Sequence, residues 1–124
     1  MREPNVLIVE DEMLLAMMYE DVLSAEGWRI VGPVGRLNKA VALAGSAAID
    51  VALLDVNLHG EPSYPVARVL AERGIPFAFV TGYEGNIVAP GFQARPVLTK
   101  PCRAAEIVTV LRNLLACAQD AAAG

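Results

Sequence analysis

The feature that most constrains the fold is an apolar run that leads directly into an acidic residue. Residues 51–54 read Val-Ala-Leu-Leu, Asp55 follows at once, and Val56 resumes the apolar pattern. A run without polar interruption is typical of a strand covered on both faces, as in a parallel sheet flanked by helices. A carboxylate at the end of such a strand lies at the rim of the sheet, where an unpaired charge is costly. Asp55 alone could simply end the strand and begin a loop, so the other strand ends decide the argument.

Extended and helical patterns alternate along the whole chain. We predict strands at 5–10, 29–34, 49–55, 76–81 and 96–99, and helices at 12–25, 37–47, 63–73 and 103–118. Strands that alternate with helices predict parallel pairing with right-handed crossovers. The count fits an α/β fold with a doubly wound, five-stranded parallel sheet in the flavodoxin-like order 2-1-3-4-5. Ligands of such sheets bind outside the carboxyl ends of the strands.

Three local features complete this prediction. In the first helix, one apolar face is predicted to consist of Leu14, Met18, Val22 and Ala25, and Gly27 is expected to end the helix. Residues 83–95 are rich in glycine and proline, so we expect a short or mobile element there instead of a regular fourth helix. Residues 119–124 are expected to fray from the last helix.

Composition limits the possible settings and partners. The chain has 124 residues, enough for one domain with a real core, and 55% of them are hydrophobic. No apolar run is long enough to span a bilayer, no signal-peptide pattern begins the chain, and the two cysteines lack metal-ligand spacing. We therefore expect a cytoplasmic protein that does not bind membranes. A net charge of −4 and only two lysines, Lys39 and Lys100, argue against a nucleic-acid partner.

Polar residues follow four of the five predicted strands at their carboxyl ends. They are Glu10, Asp11 and Glu12 after the first strand, Asp55 after the third, Thr81 after the fourth and Lys100 after the fifth. These four strands are neighbours in the predicted order, so the groups should converge on one shallow cleft. Clustered carboxylates repel one another unless a cation lies among them, and a few hard oxygen ligands favour Mg²⁺. An aspartate can act as a nucleophile toward a phosphoryl group, with Lys100 and Thr81 supplying charge and a hydrogen bond.

Each of these residues also has a simpler interpretation. The acids after the first strand could favour the positive end of the following helix dipole. Thr81 could be an ordinary turn residue before Gly82, and Lys100 a solvated lysine at a strand end. The combination favours a site, because four strands must each have placed a suitable group at the same edge. We expect His59 to be a solvated loop residue and Cys102 a small buried one.

Four motifs together resemble those of bacterial response-regulator receiver domains. They are Leu-Ile-Val-Glu-Asp-Glu at 7–12, Leu-Leu-Asp-Val-Asn-Leu at 53–58, Val-Thr-Gly at 80–82 and Leu-Thr-Lys-Pro at 98–101. The resemblance covers essentially the whole chain, in order and at family spacing. Any one of these motifs would be a weak signal, but the set of four is strongly specific.

The resemblance implies a role for each residue of the site. Asp55 would accept the phosphoryl group and contribute to the metal site, Thr81 would be the hydroxyl that follows the phosphoryl group, and Lys100 its ion-pair partner. For Mg²⁺, Asp11 would be a direct ligand, Glu10 would act largely through water, and the backbone carbonyl of Asn57 would be a further ligand. Glu10 stands where an aspartate is commoner, and the Lys100–Pro101 peptide is expected to be cis, as in the family.

One departure from the family pattern affects the expected output mechanism. Receivers usually carry Tyr or Phe three residues before the lysine, and here that position is Val97. The segments 76–83 and 96–101 resemble a subgroup with a Phe-Ala-Thr-Gly-type fourth strand, often paired with kinases of the HWE/HisKA2 class. We therefore hypothesise that the segment 83–95, rather than an aromatic rotamer, carries the switch.

These observations predict a stand-alone response regulator, with residues 1–124 forming a single receiver domain and no output domain. It would take a phosphoryl group from a histidine kinase or phosphotransfer protein and signal through protein–protein contacts. We do not expect an enzyme beyond autophosphorylation and dephosphorylation. One alternative is a small phosphatase with an aspartyl nucleophile, although Asn57 stands where the second acid of its Asp-x-Asp motif would lie. The other is a pseudo-receiver that never turns over phosphate.

Overall fold

The computed structural model describes residues 3–82, 91–92 and 94–123, with the backbone alone for 119–123. The strands are β1 (Asn5–Val9), β2 (Arg29–Val34), β3 (Val51–Asp55), β4 (Asn57–Leu58), β5 (Glu61–Pro62), β6 (Phe77–Thr81) and β7 (Val97–Thr99). The helices are α1 (Met13–Ala25), α2 (Leu37–Ser46), α3 (Tyr64–Glu72) and α4 (Ala104–Ala123). Among the described residues, no helix is long and apolar enough to cross a membrane.

Five of the strands form one parallel sheet in the order β2-β1-β3-β6-β7. The predicted order 2-1-3-4-5 is confirmed, because β6 and β7 are the fourth and fifth strands of that prediction. The short strands β4 and β5 pair only with each other and form a separate antiparallel hairpin. The sequence predicted a loop around His59 instead of this hairpin.

The sheet is covered on both faces, as the uninterrupted apolar run predicted. All five residues of β3 are buried. Ala52 and Leu54 face the layer formed by α2 and α3, whereas Val51 and Leu53 face the layer formed by α1 and α4. This alternation follows from the two-residue period of a strand. β3 is therefore the centre of the core, and its last residue is Asp55.

The predicted face of α1 is confirmed only in part. Met18 and Val22 are half-buried against the core, whereas Leu14 is 83% exposed and Ala25 is exposed as well. The fully buried residues of the helix are Ala16, Tyr19 and Leu23. The first half of this helix is apolar on almost every side, so its periodicity is compatible with more than one buried face. Contact with the sheet and with α4 selects the face at positions 16, 19 and 23.

The carboxyl-terminal helix is longer than predicted. α4 continues to Ala123, so the expected fraying from residue 119 is wrong. Alanine has the highest helix propensity, and this end of the chain is rich in it. The predicted irregular segment 83–95 lies outside the described residues at 83–90 and 93.

Candidate functional site

The carboxyl ends of β1 and β3 bring three acidic side chains together. Glu10 and Asp11 follow β1 directly, Asp55 ends β3, and Val9 pairs with Leu54 in the parallel register of these strands. One carboxylate oxygen from each acid lies within 4.8 Å of the others. Three clustered carboxylates repel one another strongly unless positive charge lies nearby.

Lys100 supplies positive charge to this cluster. Its Nζ lies 2.8 Å from Oδ2 of Asp55 and 3.1 Å from Oε1 of Glu10. The backbone N–H of Lys100 donates to the carbonyl of Thr81, which fixes the end of β7 against the end of β6. Burial by itself lowers the pKa of Lys100, but the hydrogen bond and charge of Asp55 and the charge of Glu10 raise it above its ordinary value. Lys100 therefore stays charged at neutral pH. The Lys100–Pro101 peptide is cis, as the resemblance implied.

Glu10 occupies the most enclosed position of the three acids. Its side chain is fully buried, and Oε2 accepts a hydrogen bond of 3.0 Å from the N–H of Glu12. Oε1 accepts no hydrogen bond from any described residue, although Nζ of Lys100 lies within ion-pair distance. Burial raises the pKa of Glu10 to about 8, and the nearby Asp55 carboxylate adds to this effect. Burial therefore favours the neutral, protonated form of Glu10.

Asp11 lies on the more open side of the cluster. Its Oδ2 accepts a hydrogen bond of 2.8 Å from the backbone N–H of His59, and Nδ1 of that imidazole lies 3.6 Å away. Burial works to raise the pKa of Asp11, but the hydrogen bond from His59, together with other local interactions, lowers the pKa below its ordinary value. Asp11 is therefore an anion at neutral pH, with its side chain 16% exposed.

The β4–β5 hairpin holds the loop after Asp55 in a defined shape. Its two turn residues have positive φ, 51° at His59 and 87° at Gly60, as a type I′ turn requires. Oδ1 of Asn57 accepts a hydrogen bond of 2.7 Å from the N–H of Gly60. The N–H of Asn57 donates to Oδ1 of Asp55 at 3.0 Å.

Two backbone contributions to the site were not predicted from the sequence. His59 is an exposed loop residue as predicted, but its backbone N–H holds Asp11. The signal was available, because a His-Gly pair between Asn57-Leu58 and Glu61-Pro62 fits a two-residue hairpin turn. Gly35 allows the turn after β2 to approach the acids, since a Cβ there would lie 3.1 Å from the carbonyl oxygen of Glu10. No motif indicated this contact.

Thr81 and Val97 lie on the two strands beyond β3. Thr81 ends β6 and is buried, and its neighbour Val80 pairs with Asp55 in register. The cleft thus includes Thr81 together with the three acids and Lys100. Val97 is 42% exposed at the start of β7, where the family pattern would place an aromatic ring. Cys102 is buried as predicted, and burial raises the pKa of its thiol.

Proteins of known family are similar to this chain in sequence and in structure. The sequence model of the family described as "response regulator receiver domain" matches residues 6–112. The chain belongs to this family. Receiver domains are in general signalling modules rather than classical enzymes, and they bind Mg²⁺ in an acidic pocket.

Individual receivers resemble the chain over most of its length. SdrG from Sphingomonas melonis Fr1 is 46% identical, with a TM-score of 0.81 over 91% of this chain and 97% of that one. A structure of the BeF₃-activated conformation of SdrG from Pseudomonas melonis Fr1 is 44% identical, with a TM-score of 0.75 over 93% and 99% of the two chains. The aerobic respiration control protein ArcA of Escherichia coli K12 is 29% identical over 119 residues, covering 93% of this chain and 50% of ArcA. The chain spans about half the length of the curated relatives it matches.

The donor set of this receiver suits a hard divalent cation. The ligand atoms that the structure brings together are oxygens of three carboxylates, and an oxygen set with so few protein ligands is typical of Mg²⁺. The buried Oε1 of Glu10 accepts no hydrogen bond from the described residues, and burial raises the pKa of Glu10. Both observations fit a site that a cation completes.

Proposed function

We propose that this receiver accepts a phosphoryl group onto Asp55 in the presence of Mg²⁺ and thereby works as a response regulator. One observation carries the proposal. Asp55 belongs to the three-acid cluster and is at the same time 2.8 Å from the ammonium group of Lys100. A structural aspartate needs only one of these two environments, whereas phosphoryl transfer needs both a metal site and a fixed cation.

The chain positions the Asp55 carboxylate for nucleophilic attack. Oδ2 contacts Lys100, Oδ1 accepts the N–H of Asn57, and the side chain is 7% exposed. In the transfer, a bond forms between an Asp55 oxygen and phosphorus. The bond from phosphorus to the donor's imidazole nitrogen breaks, and its electron pair stays on that nitrogen. The transition state requires mainly alignment and neutralised charge, which fixed side chains at a buried strand end supply.

We propose that Glu10, Asp11, Asp55 and the backbone carbonyl of Asn57 hold the Mg²⁺, with Glu10 acting largely through water. When bound, the ion neutralises charge on the phosphoryl oxygens. The buried oxygen of Glu10 that lacks a hydrogen-bond donor supports this ligand set. After transfer, the Thr81 hydroxyl donates a hydrogen bond to the phosphoryl group, and Lys100 pairs with its negative charge.

The proposed phosphoryl donor is a histidine kinase or a phosphotransfer protein in the cytoplasm. The resemblance of segments 76–83 and 96–101 to the Phe-Ala-Thr-Gly-type subgroup favours a kinase of the HWE/HisKA2 class. Profiling phosphotransfer from kinases of that class and of other classes tests this, and equal rates from all of them would contradict it. We propose that the output of this receiver is contact with another protein, without a nucleic-acid partner, since the net charge is −4.

The second SdrG structure is of a BeF₃-activated conformation of that protein. Beryllofluoride mimics a phosphoryl group on a carboxylate, and we propose that Asp55 responds to it in the same way. No observation favours the aspartyl-nucleophile phosphatase, since the position of its second acid is Asn57, whose side-chain oxygen accepts the N–H of Gly60.

The test is the intact mass after incubation with Mg²⁺ and acetyl phosphate. We expect a gain of one phosphoryl group in the wild type, no gain in Asp55→Asn, and no gain when EDTA replaces Mg²⁺. Asp21→Asn is the matched control, because Asp21 is an exposed aspartate on α1 far along the helix from the cluster. A wild type that neither gains mass nor binds Mg²⁺ would contradict the proposal and favour the pseudo-receiver.

A further inference from the structure

The β4–β5 hairpin is bonded to acids that come from two different strands. The N–H of Asn57 donates to Oδ1 of Asp55 at 3.0 Å, and the N–H of His59 donates to Oδ2 of Asp11 at 2.8 Å. Asp55 ends β3, whereas Asp11 follows β1. Two backbone donors of one hairpin therefore fix the orientation of two carboxylates of the three-acid cluster.

The backbone at the tip of this hairpin is strained. We call His59 and Gly60 the hairpin turn. With a φ of 51°, His59 is the one non-glycine residue at positive φ in the part of the chain that the structure describes. A residue with a Cβ is disfavoured in that region, and it stays there only where the surrounding structure enforces it, often at a functional site. The N–H of Gly60 on Oδ1 of Asn57 and the buried side chain of Leu58 hold the turn in this form.

Gly60 offers a way to change the turn without changing side-chain packing. Its φ is 87°, and a Cβ there would meet nothing within 4 Å. Gly74 has a φ of 70° and equally open surroundings, but it lies between α3 and the amino end of β6. The acids lie at the carboxyl ends of the strands. The same substitution thus imposes the same kind of backbone strain either beside the site or at the opposite edge of the sheet.

The fixed orientation of Asp11 bears on which cation fits the site. Mg²⁺ requires a nearly octahedral set of oxygens at about 2.0–2.1 Å, whereas Ca²⁺ accepts irregular sets at about 2.3–2.6 Å and can take both oxygens of one carboxylate. Because Oδ2 of Asp11 is bonded to the N–H of His59, this carboxylate is not free to turn both oxygens toward a larger ion. Groups that orient a metal ligand in this way commonly change metal affinity by about 10- to 100-fold.

We propose that the hairpin turn determines the cation specificity of the proposed site, because it positions the Asp11 carboxylate so that Mg²⁺ binds in preference to Ca²⁺. His59 and Gly60 are positioning residues, since they act on the ion through Asp11. The bond to Asp11 comes from the backbone of His59, so the conformation of the turn matters and not the imidazole. This inference rests on the proposed function, in which Asp11 is a ligand of Mg²⁺.

The first test measures the affinities of the metal-stripped chain for Mg²⁺ and for Ca²⁺ by calorimetry. Valine is β-branched and disfavours positive φ, so we expect Gly60→Val to weaken Mg²⁺ binding by about 10-fold and Ca²⁺ binding by less than about 3-fold. Asparagine tolerates positive φ, so Gly60→Asn should keep most of the preference for Mg²⁺. A Gly60→Val variant with the wild-type preference would overturn the proposal.

Gly74→Val is the matched control for backbone strain. It should lower the free energy of unfolding, measured in urea, but leave both cation affinities within about 2-fold of wild type, because it lies far from the acids. Equal losses of Mg²⁺ affinity in Gly60→Val and Gly74→Val would show that general destabilisation weakens the site, and would refute the role of the turn. If valine at position 60 prevents folding, Gly60→Ala replaces it under the same criterion, with a smaller expected loss.

The second test observes the bond from the turn to Asp11. The amide hydrogen of His59, followed by ¹H–¹⁵N NMR in the metal-free protein, should exchange slowly with solvent in the wild type and in Gly74→Val. Exchange should be faster in Gly60→Val, because the strained turn no longer holds this N–H on Asp11. If the His59 amide exchanges faster while the preference for Mg²⁺ is unchanged, the bond does not set the specificity and the proposal is wrong.

The outcomes separate this inference from the proposed function. A wild type that does not bind Mg²⁺ would overturn both. A wild type that accepts a phosphoryl group but binds Ca²⁺ as tightly as Mg²⁺ would overturn the specificity alone. At saturating Mg²⁺, Gly60→Val should still gain one phosphoryl group from acetyl phosphate, because the acceptor Asp55 is unchanged. Failure of that gain, with a normal gain in the wild type, would overturn a role confined to the choice of cation.

Discussion

The two ends of β3 each place an aspartate beside β1, with opposite consequences. At the amino end, Oδ2 of Asp50 accepts the backbone N–H of Asn5 at 2.7 Å and so joins the first residue of β1 to β3. At the carboxyl end, Asp55 lies among Glu10, Asp11 and Lys100. Asp50 satisfies a backbone donor, whereas Asp55 is held close to charges of its own sign. The amino end of this strand stabilises the fold, whereas the carboxyl end brings together acidic groups whose repulsion a bound cation would reduce.

The largest effect that would sharpen this contrast is expected from Lys100→Ala. Removing one partner from a buried charge cluster leaves the others uncompensated, so we expect a loss of about 3 kcal/mol in the free energy of unfolding at pH 8 without metal. Urea unfolding in EDTA measures it, and added Mg²⁺ should restore part of the loss. Lys39→Ala is the matched control, because Lys39 is the other lysine and is exposed. Equal losses in the two variants would show that Lys100 contributes no more to stability than an exposed lysine does.

The next effect concerns the pH dependence that Glu10 imposes on the metal-free protein. Its pKa is about 8 when folded, above the ordinary 4.5. The contribution of Glu10 to the free energy of unfolding is therefore complete below about pH 4.5 and is lost as the pH rises toward 8. Between about pH 5 and pH 7 we expect the free energy of unfolding to fall by roughly 2 kcal/mol, since one proton taken up per pH unit corresponds to about 1.4 kcal/mol.

Neither Asp11 nor Lys100 produces this slope. The lowered pKa of Asp11 places its titration below the window, and the raised pKa of Lys100 places its titration above it. Urea titrations in EDTA at several pH values should therefore slope downward in the wild type and become flatter in Glu10→Gln. If the stability of the wild type stays constant or rises over the same pH range, ionisation of Glu10 does not destabilise the metal-free protein and the prediction is wrong.

The smallest effect compares the two aspartates directly and predicts opposite signs. Asp50→Ala leaves the N–H of Asn5 without that acceptor, and we expect it to cost about 1 kcal/mol in unfolding free energy. Asp55→Asn removes a negative charge beside Glu10 and Asp11 but keeps an oxygen for the N–H of Asn57. We expect it to add about 1 kcal/mol to the stability of the metal-free protein. Changes of the same sign in both variants would break the comparison.

The sheet and its polar edge were predictable because their signals are local and repeated. The apolar run into Asp55 indicated a strand buried on both faces, and the alternation of five strands with helices fitted the flavodoxin-like strand order. The topology then predicted that Glu10, Asp11, Thr81 and Lys100 would lie near Asp55, and the structure places them there. Their chemical roles are still proposals.

Other features escaped prediction because they depend on packing or on backbone groups. The apolar residues of α1 suit several faces, so only contact with the sheet shows that Leu14 is exposed and Tyr19 buried. The helix at the carboxyl terminus extends further than its apolar stripe, because alanine favours a helix without tertiary contacts. The N–H of His59 on Asp11 and the ring of Phe92 against Tyr64 join residues distant in sequence. No local pattern reports such contacts.

The β4–β5 hairpin has a consequence for how the site would meet its ion. The turn at His59 and Gly60 orders the chain that carries the Asn57 carbonyl and at the same time holds Asp11. These groups lose their conformational entropy when the protein folds, and not when an ion binds. If the proposed ligand set is right, a bound ion would meet preorganised oxygens and order little of the chain, so more of its interaction energy would be available as affinity.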